Sequence, residues 1–181
     1  MPDNHTPEQR HRNMAAIHSA STKPELKLRN YLWHLGFRYR VNDKRLPGKP
    51  DLVLAKYRTV VFVHGCFWQG HKGCKYYTIP KSNTDFWTVK ISRNKEHDQE
   101  VWRLLEAMGW YVIIVWECEL KKDRLLDTVY SVAAEIRDNG EKFQKARQER
   151  KGARLIYQAE RRRQKQLEKQ LNLELSQKFP L

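Results

Sequence analysis

The chain has 181 residues, with 35 Lys+Arg against 21 Asp+Glu and a formal net charge of +14. That length is enough for one core of ordinary size. The charge excludes an acidic binding module and points to a polyanionic partner, most simply a nucleic acid, although it would also serve to keep a basic protein in solution. Six Trp, eight Tyr and six Phe set the chain apart from a basic tail, because bases stack on such rings. No window approaches transmembrane length, and the opening Met1-Pro2-Asp3-Asn4-His5 has no apolar signal region, so the cytoplasm is expected and no membrane.

Residues 1–20 are polar, with Met14, Ala15, Ala16 and Ile17 as an apolar island. They read as an arm outside the core that touches a partner, or as a frayed terminus. Thr22-Lys23-Pro24-Glu25 opens a helix, with Thr22 as N-cap and Glu25 at the fourth position of a capping box, and Gly36 closes it. Leu28, Leu32 and Leu35 form its apolar stripe, and Glu25 lies on the same face. Capping and catalysis account for that carboxylate equally well at this stage.

The spacing predicts a strand over 37–41 and a turn through Asn42, Asp43 and Lys44. Leu46-Pro47-Gly48-Lys49-Pro50-Asp51 then delivers Asp51 to the mouth of a strand over 52–55. Proline restricts its own φ and the residue before it, which fixes this approach. Aspartate is poorly suited to β structure. Beside a basic surface it makes a good Mg²⁺ ligand for phosphate chemistry, and it serves as well for a turn residue that starts a strand. Tyr57-Arg58 leads into a strand over 59–64, antiparallel to the last because the connection is too short for a crossover.

That strand runs into His64-Gly65-Cys66-Phe67-Trp68-Gln69-Gly70-His71-Lys72-Gly73-Cys74, which places two thiols and several aromatic rings at one strand end. Cys66, His71 and Cys74 have the spacing C-x4-H-x2-C. The only other cysteine, Cys118, follows the apolar run 110–116. Two strand ends can lie side by side in a sheet, so a tetrahedral Cys3His zinc site is the natural construction. Three cysteines argue against a disulfide framework. The alternative is three incidental buried thiols.

Past this loop, Asp85 is placed as the cap of a long helix that starts at Phe86-Trp87 and ends at Gly109, with Val101, Leu104, Leu105 and Met108 as its inner positions. Lys90, Arg93, Asn94 and Lys95 give its first half a face suited to phosphate oxygens. Its length permits a parallel crossover to the strand 110–116, and 124–137 reads as a second covering helix. From 141 on the composition changes. Residues 141–181 hold 12 Lys+Arg and 5 Asp+Glu, a net +7 and half of the whole charge. This extension reads as a solvated charged helix, a partner helix, a weak coiled coil or a helix that forms on nucleic acid.

Pro50-Asp51, the run His64-Gly65-Cys66-Phe67-Trp68, Phe86-Trp87, Gly109-Trp110 and Trp116-Glu117-Cys118 together make the chain closely similar to the very-short-patch repair (Vsr) mismatch endonucleases of the PD-(D/E)XK superfamily. The resemblance runs from Asn13-Met14 through Cys118 and somewhat beyond. It implies an α/β fold, a mixed central sheet flanked by helices, with an arm at 1–20, a nuclease core with its zinc site at 21–140 and a basic helical extension at 141–181. It also implies Mg²⁺-dependent nicking of double-stranded DNA 5′ of the T of a T:G mismatch, the product of 5-methylcytosine deamination. A monomer at the bacterial nucleoid is expected, with mismatch-repair proteins as further partners.

Carried over by residue, the resemblance implies Mg²⁺ on Asp51 and the Val63 carbonyl, Glu25 supporting the group that activates water, and His64 at the scissile phosphate. Cys66, His71, Cys74 and Cys118 match structural zinc ligands. Phe67, Trp68 and Trp87 match a wedge pushed into the duplex, and Met14 matches an arm residue in the opposite groove. Lys90 and Asn94 complete the expected DNA contacts. Two positions depart from the family pattern. Gln69 stands where a histidine is usual, which removes the expected general base, since an amide takes no proton at neutral pH. Val63 stands where a threonine is usual, a mild change if only its carbonyl is used. A zinc-stabilised mismatch-binding protein with weak or no nuclease activity is therefore the alternative. An RNA-binding adaptor is disfavoured by Pro50-Asp51 at the sheet edge.

Overall fold

The structure, a computed structural model, describes residues 6, 8, 9, 12, 21–81 and 83–178, with side chains through residue 169. The expected arm, including Met14, lies almost wholly outside the described residues. The chain divides into two compact units, Met1–Gly140 and Glu141–Leu181.

In chain order, helix α1 (Lys23–His34) precedes strand β1 (Leu52–Leu54) and strand β2 (Thr59–His64); helix α2 (Thr84–Ala107) then leads to strand β3 (Tyr111–Trp116) and helix α3 (Leu125–Lys178), whose residues up to Gly140 belong to the first unit. The sheet order is β1-β2-β3, with β1 antiparallel and β3 parallel to the central β2. The short Ala55–Tyr57 3₁₀ turn joins the antiparallel pair, and α2 makes the crossover that a parallel pair requires. This is the mixed α/β arrangement expected.

Alternation along the strands sends side chains to opposite faces, and each face is covered by different helices. Leu52, Leu54, Val61, Ile113 and Val115 pack against Leu28 and Leu32 of α1 and against Val129, Val132, Ala133 and Ile136 of α3. Val53, Val60 and Phe62 meet Val101 and Leu105 of α2 on the other face. Each such aliphatic side chain contributes roughly 1.5–3 kcal/mol by leaving water. Both α1 and α2 end on a left-handed glycine, Gly36 at φ +88° and Gly109 at φ +77°. In each case two N–H groups turn back onto the final carbonyls, Phe37 N–H onto Leu32 and Trp110 N–H onto Leu105 among them.

Several local expectations are corrected. The strand over 37–41 shrinks to a single antiparallel bridge, Arg40 to Val53. β1 is short, so only one ladder position is left for it. Asp85 does not cap α2: Asn83 does, in a left-handed conformation, and Asp85 lies in the first turn, where its charge opposes the positive end of the helix dipole. Leu104 and Met108 are half exposed, while Ile91, Val101 and Leu105 face inward. The second covering helix does not stop near 137. Gly140 is helical, and its missing side chain makes room for Tyr57, since a Cβ there would come within 2.5 Å of that ring. The second unit is the helical stretch from Glu141 on, with Leu155, Ile156, Tyr157 and Leu167 exposed.

Candidate active site and metal centre

Two clusters form at the C-terminal end of β2, one on each side of the turn that follows it. The first grows from a gap in the sheet. β1 begins at Leu52, paired with Val61, so the next inward N–H of β2, that of Val63, has no strand partner. The Asp51 carboxylate takes its place and accepts that N–H at 2.7 Å. The side chain is thereby fixed at the sheet edge, facing a cavity of about 890 Å³ lined by Glu25, Asp51, Val63, His64, Trp68, Gln69 and Asp98, with Lys44, Lys49 and Lys90 as cationic groups at it.

Glu25 is buried and held by three donors. Ser21 N–H and Arg29 Nη2 reach Oε2 at 2.9 and 2.8 Å, and the Thr22 hydroxyl reaches Oε1 at 2.8 Å. The capping box is thus redrawn, because Thr22 spends its hydroxyl on the Glu25 side chain and makes no side-chain bond to a helix N–H. Arg29 is buried as well and also touches the Asp51 carbonyl at 3.4 Å. Burial pushes the Asp51 carboxyl up to about 6; the Val63 N–H opposes this, and the neighbouring Glu25 charge reinforces it. Two carboxylates crowded in a half-dry site, with a backbone carbonyl beside them, are the hard oxygen donors that Mg²⁺ takes. The residues fit a divalent cation.

His64 projects from β2 onto the α2 side, stacked on Trp102 at 5.7 Å between centroids and edge-on to Trp116. Burial lowers its pKa to about 4, so the ring is neutral near pH 7. Asp98 Oδ2 lies 3.9 Å from Nδ1, beyond hydrogen-bond length, and a neutral ring makes no ion pair with it. Asp98 itself is raised by burial. Gln69 brings an unusual feature to the same cavity: its Oε1 is buried and has no hydrogen-bond partner. An orphaned acceptor of that kind is costly unless something donates to it.

The second cluster joins the loop to the end of β3. Cys66, His71, Cys74 and Cys118 bring their donor atoms within 4.8 Å of one another. Cys118 rides on the Glu117–Leu120 3₁₀ turn just past β3, and β2 and β3 are in register at His64 and Trp116, so the two strand ends meet as expected. His71 lies flat on Trp116, 4.0 Å between centroids at 4°, which orients its Nδ1 to 3.5 Å from Cys118 Sγ. All three thiols are free of disulfides. Sulfurs around a tetrahedral zinc stand about 3.8 Å apart for bonds of about 2.3 Å, so this set fits a metal ion. Gly70 lets the loop lie close on α2, since a Cβ there would approach Ile91 and Lys95 at 2.7 Å.

Beyond these clusters, Phe67, Trp68 and Trp87 form one group, with centroids 5.2, 5.1 and 6.0 Å apart, and the more exposed Phe86 adds to it at 5.2 Å from Trp87. Asn94 donates its amide to the Trp68 carbonyl at 2.9 Å, so its side chain braces this group, and both Asn94 and Lys90 line the cavity. The sequence reading missed Arg29 and Asp98. Arg29 was findable as the i+4 partner of Glu25, and Asp98 as the residue one turn beyond Asn94 on the same helical face.

The model of the family described as DNA mismatch endonuclease Vsr matches residues 2–75. A type II nicking enzyme, V.NmeAIP, of Neisseria meningitidis serogroup A is 52% identical over 139 residues, which is 76% of this chain and 99% of that protein. The DNA mismatch endonuclease Vsr of Escherichia coli K12 is 42% identical over 128 residues, 70% of this chain and 81% of that protein. The chain belongs to the Vsr family of DNA mismatch endonucleases. The Neisseria relative is matched almost end to end, yet about a quarter of this chain has no counterpart in it. Among the described residues, no helix is long and apolar enough to cross a membrane.

Proposed function

We propose that the protein nicks double-stranded DNA on one strand, 5′ of the T of a T:G mismatch, in a Mg²⁺-dependent hydrolysis. Family membership supports the substrate class. The observation that carries the chemistry is the meeting of Asp51, Glu25, Val63, His64 and Gln69 in one cavity with a cationic rim.

Asp51 and the Val63 carbonyl would hold Mg²⁺, which when bound neutralises charge gathering on the phosphate oxygens. Glu25, fixed by Ser21, Thr22 and Arg29, keeps its geometry through the reaction because none of its three donors belongs to substrate. Water attacks phosphorus and gives up a proton as the new P–O bond forms, the ester P–O bond breaks, and the released sugar oxygen takes a proton from solvent water. Gln69, whose amide Oε1 is buried, cannot take the proton that the attacking water gives up. His64 can accept one at a ring nitrogen. A ring whose pKa is held near 4 by burial is a weak base at pH 7. The reaction is therefore slow relative to one served by a base poised near neutrality.

Cys66, His71, Cys74 and Cys118 would hold Zn²⁺ as a structural ion, since four protein donors leave no place for substrate. The aromatic group braced by this loop, Phe67, Trp68 and Trp87, enters the duplex beside the mismatch, where a wobble pair costs less to unstack than a matched one. Met14 grips from the arm, Lys90 contacts phosphate, and Asn94 holds the Trp68 backbone.

Gln69 also favours a second reading, a mismatch-binding protein that scarcely cleaves. One experiment separates the two. Duplexes carrying T:G, other mismatches or none are incubated with the protein with and without Mg²⁺. Nicking of T:G duplex only with Mg²⁺ supports the endonuclease; selective binding without nicking at any pH supports the second reading.

A further inference from the structure

The helix from Glu141 on has no place in the reaction proposed above. Along it, Arg147, Lys151, Arg154, Arg161, Lys165 and Lys169 are all exposed. Their spacing follows the helical repeat, and at about 100° per residue they fall within an arc of about 80°. The remaining gap is filled by Gln158, which is uncharged and likewise exposed. By the same count Glu141, Glu149 and Glu160 fall on the opposite side of the helix, and Glu168 borders the stripe near its C-terminal end without entering it. Among the described residues none of the six cations is paired with a carboxylate. The arc itself therefore holds cations and no carboxylate, whereas a helix kept soluble by charge gains most from mixing the two signs at i,i+4.

From Arg147 to Lys169 the stripe runs roughly 33 Å at about 1.5 Å per residue, close to the length of one B-DNA turn, about 34 Å. We propose that this stripe is a second contact for duplex DNA, made to backbone phosphates without reading sequence. The choice of DNA over another polyanion rests on the endonuclease reading; the existence of a phosphate-binding stripe does not. Such a contact would add its counterion release to that of the nuclease unit and hold the enzyme on matched DNA between encounters with a mismatch.

The test uses the full-length protein in two doubly substituted forms. Arg154→Gln/Lys165→Gln removes two charges from the stripe, and Lys145→Gln/Arg163→Gln removes the same two residue types from the other side. Glutamine is a good helix former, so helix propensity is matched between them. Binding to a fully matched DNA duplex is measured by fluorescence anisotropy across salt concentrations, with no cleavage required, so an inactive nuclease leaves the readout intact. The stripe variant should lose about 1.8 from the slope of log K against log salt, about 0.9 for each phosphate contact, while the control loses less than half of that. An unchanged slope in the stripe variant, or an equal loss in both, would overturn the stripe. A larger loss on a duplex RNA of the same length than on the DNA would overturn the partner.

Discussion

The two clusters at the end of β2 are built from opposite materials. The Cys66-His71-Cys74-Cys118 set is soft, and its four donors already converge within 4.8 Å. The Asp51 cavity is hard, open and short of a proton acceptor, with one acceptor, Gln69 Oε1, left without a partner. A structural site is complete in its own residues, while a catalytic site keeps positions for water and substrate. The contrast predicts that damage to the first is read as stability and damage to the second as rate.

The sharpest separation is expected at Asp51. Asp51→Ala should cut single-turnover nicking by roughly 10³-fold or more, because a lost metal removes several kcal/mol of charge stabilisation. DNA affinity should stay within about twofold, which electrophoretic shift assays would verify. A variant that still nicks at a tenth of the wild-type rate would place the metal elsewhere.

Gln69→His works in the other direction. It restores a group able to take a proton, and general-base catalysis is typically worth about 10²–10⁴-fold, so nicking near neutral pH should rise toward that range. No change, with a fast wild type, would show that the proton leaves by another route.

At the soft cluster, Cys118→Ser should lose the bound zinc seen by native mass spectrometry and lower Tm by roughly 10 °C, about 3 kcal/mol for a chain of this size. Undiminished Tm in metal-free protein would remove the site's structural role.

The smallest effect belongs to the aromatic group. Trp68→Ala should reduce the preference for mismatched over matched duplex by about 1–3 kcal/mol, one stacking contact. Discrimination that survives alanine at Phe67, Trp68 and Trp87 together would end the wedge. A fall in Tm with discrimination intact would make these rings core beneath the loop.

The same contrast explains what could be read from the chain. The soft site was legible because its donors are rare residue types, three of them Cys, at a spacing that one loop and one neighbouring strand can close. β2 and β3 were legible because they are buried runs with little else to be, and α1 because Pro24 and Gly36 bracket it. The hard site was legible only at Asp51, which sits awkwardly at a strand mouth. Glu25 was ambiguous in sequence, and the structure shows why: the carboxylate keeps the local bonds of a helix start and faces the cavity as well. Asp98 and Arg29 stayed hidden because carboxylates and guanidiniums are common on helices, and only the packing of α1 and α2 onto the sheet makes these two buried or half-buried. The length of α3 was misjudged because Gly140 usually signals an end, whereas here it makes room for Tyr57.

On the endonuclease reading the Asp51 cavity cuts DNA at a mismatch selected by the aromatic group. Its most direct test is strand-resolved mapping of the cut, with each strand of a T:G duplex and of its T:A twin labelled at one end and incubated with wild-type protein and Mg²⁺. One nick is expected, immediately 5′ of the mismatched T, with the G strand and the T:A twin intact. Equal cleavage of the T:A twin, or a cut in the G strand, would contradict it.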